Sequence, residues 1–236
     1  MASAKALLGS VLGRFIFTDS RVTRIHERSP VFRQLDCEGP ALKGQEWTPG
    51  DKVQVFLPGL GMRTYTPLSW DAERGATSFL VYLHGGSPGA KWGREVKVGD
   101  TVQFFGPRRS LALEAGNAPV VLFGDETSFA VAYAFRTAAK RDVTPLFEVT
   151  APDACEPALR ELGFEAPLVA REPGDAHLAR IHERLRAALR EKPGAVLVMT
   201  GRAQSIQALR ARLRGDGAPA TSKVKAYWAV GKTGLD

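Results

Sequence analysis

Arg63, Tyr65 and Thr66 form an R-x-Y-T string shortly after an apolar run, Val53-Gln54-Val55-Phe56-Leu57, that is closed by Pro58-Gly59. Residues i and i+2 of an extended segment share a face, so Arg63 and Tyr65 project together. A guanidinium offers a fixed fork of donors for a diphosphate. A tyrosine offers a ring for a flat heterocycle and a hydroxyl to anchor it, and the Thr66 hydroxyl beside them can reach a ring nitrogen. This set suits a flavin dinucleotide; the alternative is a plain surface Arg–Tyr pair on a strand.

The elements that must position these residues fall into two runs. From Phe15 to Leu113, short β-type segments alternate with turn residues. Strands are expected over 21–25, 31–37, 52–57, 62–68, 77–83 and 101–105, with turns at Glu38-Gly39-Pro40, Pro49-Gly50-Asp51, Pro58-Gly59, Arg74-Gly75 and Gly99-Asp100. Six short strands with almost no helix read as a small antiparallel barrel. Glu114-Ala115-Gly116-Asn117-Ala118-Pro119 is the expected linker, dividing a domain over 1–115 from one over 116–236. Beyond it the period changes. Strands over 120–123, 145–150, 167–170, 195–199 and 224–228 alternate with helices over 127–140, 157–162, 175–190 and 203–214, the pattern of a parallel sheet with helices on both faces. Near the N-terminus, Leu7, Leu8, Val11, Leu12 and Phe15 fit one face of a helix.

Composition narrows the function classes. The chain has 236 residues, 44% hydrophobic and 24% charged, as in an ordinary globular protein. The net charge of +7 and pI near 9.6 raise nucleic acid as a partner, but the arginines cluster on helix-like stretches such as Glu183-Arg184-Leu185-Arg186 and Leu209-Arg210-Ala211-Arg212-Leu213-Arg214. There Ile206, Leu209 and Leu213 mark a buried stripe with the arginines outward, and no nucleic-acid motif accompanies them. Positive charge serves better here to attract anionic small molecules. Cys37 and Cys155 make no C-x-x-C, and His26, His84, His177 and His182 make no H-x-x-x-H, so no metal site is expected. No serine sits in a nucleophile elbow. No segment has the apolar length of a membrane span and no signal sequence is evident, so a cytoplasmic monomer, bound neither to membrane nor to nucleic acid, is expected.

Several further strings carry the chemistry. Val81-Tyr82-Leu83-His84 runs into Gly85-Gly86-Ser87-Pro88-Gly89-Ala90-Lys91-Trp92. Then come Gly99-Asp100, Gly106-Pro107-Arg108-Arg109-Ser110, Leu122-Phe123-Gly124-Asp125-Glu126-Thr127, Tyr227-Trp228 and Gly231-Lys232-Thr233-Gly234. In this order and at this spacing, with R-x-Y-T, the chain resembles the siderophore-interacting flavoproteins, ferric-siderophore reductases on the ferredoxin-reductase architecture. The resemblance covers roughly Arg21 to the C-terminus. It implies an FAD-binding barrel followed by a Rossmann-like NAD(P)H-binding α/β domain.

For FAD, the resemblance implies Arg63 on the diphosphate, Tyr65 against the isoalloxazine and Thr66 near its reactive nitrogen. His84, Gly85 and Gly86 form a second wall, and Ala90 and Trp92 match the family's small-x-Trp element. Leu68 departs from an arginine many relatives carry there. For NAD(P)H, it implies a binding role for Asp125, Glu126 and Thr127 at the first strand-to-helix turn, where a helix N-terminus favours an anion. The two carboxylates either cap the helix or face the cleft, while Thr127 and main-chain amides take the phosphate. Thr200-Gly201-Arg202-Ala203 starts another helix at the carboxyl end of a strand. Relatives usually carry Glu at position 202; Arg202, or Arg171, could meet the extra phosphate of NADPH, which tips the expectation from NADH towards NADPH. Lys52 and Arg108 match basic positions of relatives, and with Lys225 and Lys232 they would form a rim for an anionic ferric siderophore. Arg109 replaces a frequent Gly. The implied activity is transfer of electrons from NAD(P)H through FAD to Fe(III), released as Fe(II), with no side chain required as acid or base. The alternatives are a general NAD(P)H:flavin or quinone reductase (a diaphorase) and a non-catalytic siderophore-binding protein.

Overall fold

The computed structural model of the chain describes residues 17–216 and 221–232. The amphipathic stretch from Leu7 to Phe15 lies outside these residues, as do Thr233 and Gly234 of the last motif.

The first sheet is antiparallel and has seven strands: β1 (Thr18–Ser29), β2 (Phe32–Glu38), β3 (Lys52–Leu57), β4 (Gly61–Tyr65), β5 (Pro67–Asp71), β6 (Ala76–Tyr82) and β7 (Thr101–Arg108), in the order β4-β3-β7-β1-β2-β6-β5. Alternation does what the sequence asks of it: Val53, Val55 and Leu57 turn inward to join Val22, Leu35, Phe79, Val81, Val102 and Phe104 in one core. The strand expected over 62–68 is in fact two. Val53 pairs with Tyr65 at the end of β4, and Pro67 pairs with Phe79 at the start of β5. Between them the chain leaves one ladder and joins another at Thr66, just before a proline that has no N–H to give. Six expected strands therefore become seven. β4 and β5 are the two edges of the sheet, and among the described residues no ladder joins them, so the expected barrel is not closed by pairing.

The sequence reading also passed over a helix, α1 (Pro88–Glu95), in the Gly-rich stretch. Ser87 caps it, its hydroxyl accepting from Ala90 N at 3.3 Å, and Pro88 takes the first helical position. Ser-Pro is the signal that would have found it.

The second sheet is parallel: β8 (Val120–Gly124), β9 (Val143–Val149), β10 (Leu168–Ala170), β11 (Val196–Arg202) and β12 (Ser222–Trp228), in the order β10-β9-β8-β11-β12. Its helices are α2 (Phe129–Thr137), α3 (Pro152–Glu161), α4 (Leu178–Glu191) and α5 (Ala203–Gly215). Ile206, Leu209 and Leu213 are buried as the periodicity requires. α3 begins at Pro152, five residues before the expected start, and takes Pro157 inside it; an internal proline forfeits one main-chain bond, and the buried Cys155, Ala158 and Leu159 hold the helix in place.

The two sheets share a core. Phe32, Leu68 and Leu80 of the first pack with Phe129 and Phe135 of α2, and the Phe32 and Phe129 rings stack at 5.1 Å. The 114–119 segment is pinned by Arg141, whose guanidinium donates to the carbonyls of Glu114, Gly116 and Ala118 at 2.6–3.2 Å. Among the described residues no helix is long and apolar enough to cross a membrane.

Candidate functional site

A cleft of about 540 Å³ opens between the two sheets, within the range of roughly 300–1,000 Å³ usual for small-molecule and cofactor sites. One wall comes from β3, β4 and the start of α1: Lys52, Arg63, Tyr65, Thr66, His84, Gly89 and Ala90. The opposite wall comes from the carboxyl edge of the parallel sheet: Glu126, Thr127, Thr150, Arg171 and the 225–229 stretch, with Lys232 beyond it.

The R-x-Y-T residues sit as the strand period demands. Arg63 and Tyr65 both line the cleft, and Thr66 is buried at the point where β4 gives way to β5. The Arg63 fork gives one N–H to the carbonyl of its neighbour Met62, at 2.7 Å. Tyr65 is backed by Phe79 and Trp92, with ring centroids at 6.4 and 6.0 Å. Burial raises its phenol well above the ordinary range, against a smaller opposing pull from Arg63, so the ring meets any ligand uncharged. Opposite it, a Cβ on Gly89 would lie 3.0 Å from the Tyr65 hydroxyl, so the first turn of α1 comes close to this ring and a larger residue there would push the ring aside by a few tenths of an ångström. Thr66 and Tyr227 of the other sheet line the same cleft, side chain beside side chain.

Not every expected residue reaches the cleft. Trp92 stands behind Tyr65. Gly85 and Gly86 lie outside the lining, and the carbonyls of Leu83 and Gly85 are held by Arg94 at 2.8 and 2.9 Å. His84 does line it, stacked on Tyr82 at 4.9 Å. Desolvation in the cleft depresses its imidazole; Glu126 opposes this, and Arg94 and Arg171 add to it, so His84 is neutral at neutral pH. Arg108 pairs across the ladder with Lys52, but its guanidinium turns to Gln54 and lies 4.5 Å over the Phe105 ring.

At the strand-to-helix turn after β8, the two carboxylates divide the alternatives between them. Asp125 caps: its Oδ1 accepts from Thr127 N at 2.9 Å and from the Thr127 hydroxyl at 2.5 Å. It thereby fills the anion position expected for a phosphate, and Thr127 has given both its donors to it. Its Oδ2 accepts from Trp228 Nε1 at 2.7 Å. Gly201, at φ +91°, makes room for this carboxylate; a Cβ there would fall 2.4 Å from Oδ2. Gly201 therefore supports Asp125 and does not line the cleft.

Glu126 faces the cleft and is the centre of a buried network. Its Oε1 accepts from Thr150 N at 2.6 Å, the Tyr82 hydroxyl at 3.2 Å and Arg171 Nη1 at 3.1 Å, and its Oε2 from Arg171 Nη2 at 2.6 Å. Arg171 also lies 3.6 Å from Glu148 and 3.7 Å from Asp125. Glu148 in turn accepts from Ser205 at 2.7 Å and pairs with His177 at 2.8 Å. His177 Nδ1 accepts from the Glu172 N–H, which leaves Nε2 to donate to Glu148. One guanidinium thus serves three buried carboxylates. Burial pushes Glu126 up, but the hydrogen bonds and charge of Arg171 and the Thr150 N–H outweigh it and hold the carboxyl below its ordinary value. Asp125 goes the other way: burial, then the Glu126 charge, raise it to about 6.

A carboxyl raised in the fold favours folding while it is protonated, below its unfolded value of 3.8, and loses that advantage as the pH rises through 6. At about 1.4 kcal/mol per unit the loss is about 3 kcal/mol. Asp125→Asn keeps the shape but cannot ionise. Its stability relative to wild type is expected to rise by about 2–3 kcal/mol between roughly pH 4 and pH 7, read from urea unfolding at the two pH values. A constant difference would show that Asp125 titrates normally.

Tyr82, Arg171 as the hub, Glu148 and His177 were not foreseen as one network. β6, which carries Tyr82, is buried on both faces, so alternation could not mark the ring that reaches the cleft. Arg202, also expected to line the cleft, stands behind it, paired with Asp175 at 2.6 and 3.0 Å. Among the described residues no group of three or more His, Cys, Asp and Glu is placed to hold a metal ion.

Residues 59–111 match the family model of the siderophore-interacting FAD-binding domain, which bears out the resemblance carried by the motifs; all the residues expected at FAD fall within that range. A search of curated proteins found no match. Among solved structures, a siderophore utilization protein from T. fusca is 21% identical with a TM-score of 0.69, over 93% of this chain and 95% of that one. The siderophore-interacting protein SipS from Aeromonas hydrophila is 19% identical with a TM-score of 0.68, over 91% and 98%. The ferredoxin reductase in carbazole 1,9a-dioxygenase is 17% identical with a TM-score of 0.73, over 90% of this chain and 69% of that one. At these identities the structures share the fold. The family match and this two-part fold support a flavin-dependent oxidoreductase.

Proposed function

We propose that the chain is a ferric-siderophore reductase that binds FAD on the first sheet and a pyridine nucleotide on the second, as two domains over 1–115 and 116–236. The observation that carries this reading is the single cleft in which the R-x-Y-T residues face the carboxyl edge of a parallel sheet. Ligands of open α/β sheets bind at that edge, so two flat rings, one from each side, can meet there.

The residues present fit FAD. A guanidinium fork, an uncharged aromatic ring braced from behind and the close approach of a helix start at Gly89 converge at one end of the cleft. Bound FAD would supply the step that splits a two-electron donor into single electrons, as Fe(III) requires. Arg63 would hold the diphosphate, Tyr65 would offer its ring to the flavin, and Thr66, beside Tyr227, would offer its hydroxyl. Lys52, Lys225 and Lys232 line the open side and draw an anionic ferric chelate toward it by long-range attraction; Arg108 flanks Lys52.

The test is an anaerobic absorbance titration of the purified protein with a reduced pyridine nucleotide, followed by a ferric siderophore. Bleaching of a flavin band, then its recovery with Fe(II) formation, is the expected result. A protein that cannot be loaded with FAD would sink the reading, and equal turnover of quinones and ferric chelates would make it a general diaphorase. Arg63→Ala separates binding from folding. It is expected to weaken FAD retention by about tenfold or more, a charged hydrogen bond being worth about 1.5–3 kcal/mol. Unfolding should move by under about 0.5 kcal/mol. Equilibrium dialysis and urea unfolding report the two effects.

A further inference from the structure

We propose that the second sheet selects a pyridine nucleotide lacking the 2′-phosphate, and that Asp175, held by Arg202, is the residue that sets this choice. The inference rests on the nucleotide reading above and narrows it to NADH.

A 2′-phosphate needs a cation with donors to spare. Among the described residues the carboxyl edge of the parallel sheet offers three guanidiniums, and each is already engaged. Arg202 is bidentate on Asp175, at 2.6 and 3.0 Å, and its Nε is buried. Arg171 is bidentate on Glu126 and gives a further bond to Thr150 at 2.7 Å. Arg180 pairs with Glu172 at 2.6 Å. Against these three guanidiniums stand five carboxylates, Asp125, Glu126, Glu148, Glu172 and Asp175. Lys225 and Lys232 lie on and just beyond β12, at the far end of the sheet order from β10, which Asp175 follows, so on the Asp175 side the carboxylates outnumber the guanidiniums. A phosphate monoester would add about 1.5–2 more negative charges.

What this edge does offer is an acceptor. Asp175 follows Gly174 in the left-handed region, at φ 59° and 63°, so its carboxylate is aimed by the backbone as well as by Arg202. The ion pair depresses its pKa, and its side chain keeps 36% of its surface open. Each oxygen that accepts from Arg202 retains a lone pair for a hydroxyl. An acidic side chain accepting from the ribose 2′-hydroxyl is how α/β sheets choose NAD over NADP. Arg202, expected from sequence to meet a phosphate, instead holds the carboxylate that excludes one.

The experiment uses adenosine fragments, so it needs no turnover: calorimetric titration of the full protein with 5′-AMP and with 2′,5′-ADP. Wild type is expected to hold 5′-AMP tighter by about tenfold or more, tenfold being about 1.4 kcal/mol. Asp175→Asn removes one charge and frees Arg202. It should gain about tenfold for 2′,5′-ADP and lose affinity for 5′-AMP. Tighter binding of 2′,5′-ADP by wild type, or an unchanged ratio in the variant, overturns the assignment. If neither fragment nor either reduced dinucleotide binds, the nucleotide reading itself falls and this inference with it, an outcome distinct from an inverted ratio.

Discussion

Arg171→Met is expected to lower the unfolding free energy by about 3–5 kcal/mol at neutral pH, the range for removing one partner of a buried ion pair, and by clearly less near pH 5. Among the described residues Arg171 is the one guanidinium within 4 Å of Asp125, Glu126 and Glu148, the nearest oxygen being 2.6 Å away. Glu126 and Glu148 side chains are 2% and 0% exposed. Methionine fills the volume of the stem but leaves three carboxylates without a counter-charge, and they must then take up protons or leave the core. The pH dependence gives the sharper test. In wild type the depressed Glu126 contributes stability above its ordinary 4.5 that is lost as the pH falls through its lower folded value. Without Arg171, burial is opposed only by main-chain N–H groups such as that of Thr150; the folded pKa is expected to rise, and stability is then lost as the pH rises instead. Urea unfolding at about pH 5 and pH 7 should show this contribution nearly level in wild type and falling as the pH rises in the variant. An equal loss at both values would mean that the cluster is not electrostatically coupled to Arg171.

Gly201→Ala is expected to cost about 3–5 kcal/mol, combining about 1–3 kcal/mol for a non-glycine in an unfavourable backbone region with about 1–3 for overpacking. The backbone at φ +91° is one that side chains rarely adopt, and the new Cβ would lie 2.4–2.8 Å from three atoms of the Asp125 carboxyl. That carboxyl cannot retreat without dropping its bonds to Thr127 and Trp228. Gly194→Ala, at φ +77° with open space around it, carries the backbone penalty alone and should cost only about 1–2 kcal/mol. A Gly201 variant no worse than the Gly194 variant would show that Asp125 has somewhere else to go. Because Trp228 Nε1 donates to Asp125, a shift in tryptophan emission should accompany the loss.

Those two residues show where sequence reading stopped. Gly201 was marked for a nucleotide because it stands at the carboxyl end of a strand before a helix. Its position was right, but what occupies the space beside it is Asp125, far away in the chain. Arg171 and Arg202 were marked as phosphate partners because they are cations at that same edge. Their charges are spent on Glu126, 45 residues away, and on Asp175, 27 residues away. Nothing in the residues next to either arginine announces a partner at such a distance.

By itself the sequence determined what is local or periodic: the inward alternation of Val53, Val55 and Leu57, the buried stripe of Ile206, Leu209 and Leu213, the common face of Arg63 and Tyr65, and the succession of an antiparallel and a parallel sheet. Side-chain direction repeats every 2 residues in a strand and every 3.6 in a helix, so these facts are written in the spacing. Tertiary structure alone decided the rest. The strand that seemed continuous through Thr66 changes ladders because its partners differ on either side. The turn after β8 takes its own carboxylate in place of a phosphate because Gly201 and Trp228 close around Asp125. Whether a charged side chain is free to meet a ligand depends on which opposite charge the fold brings within about 4 Å in a low-dielectric interior. That distance exists only once β10, β9, β8 and β11 are assembled in one sheet.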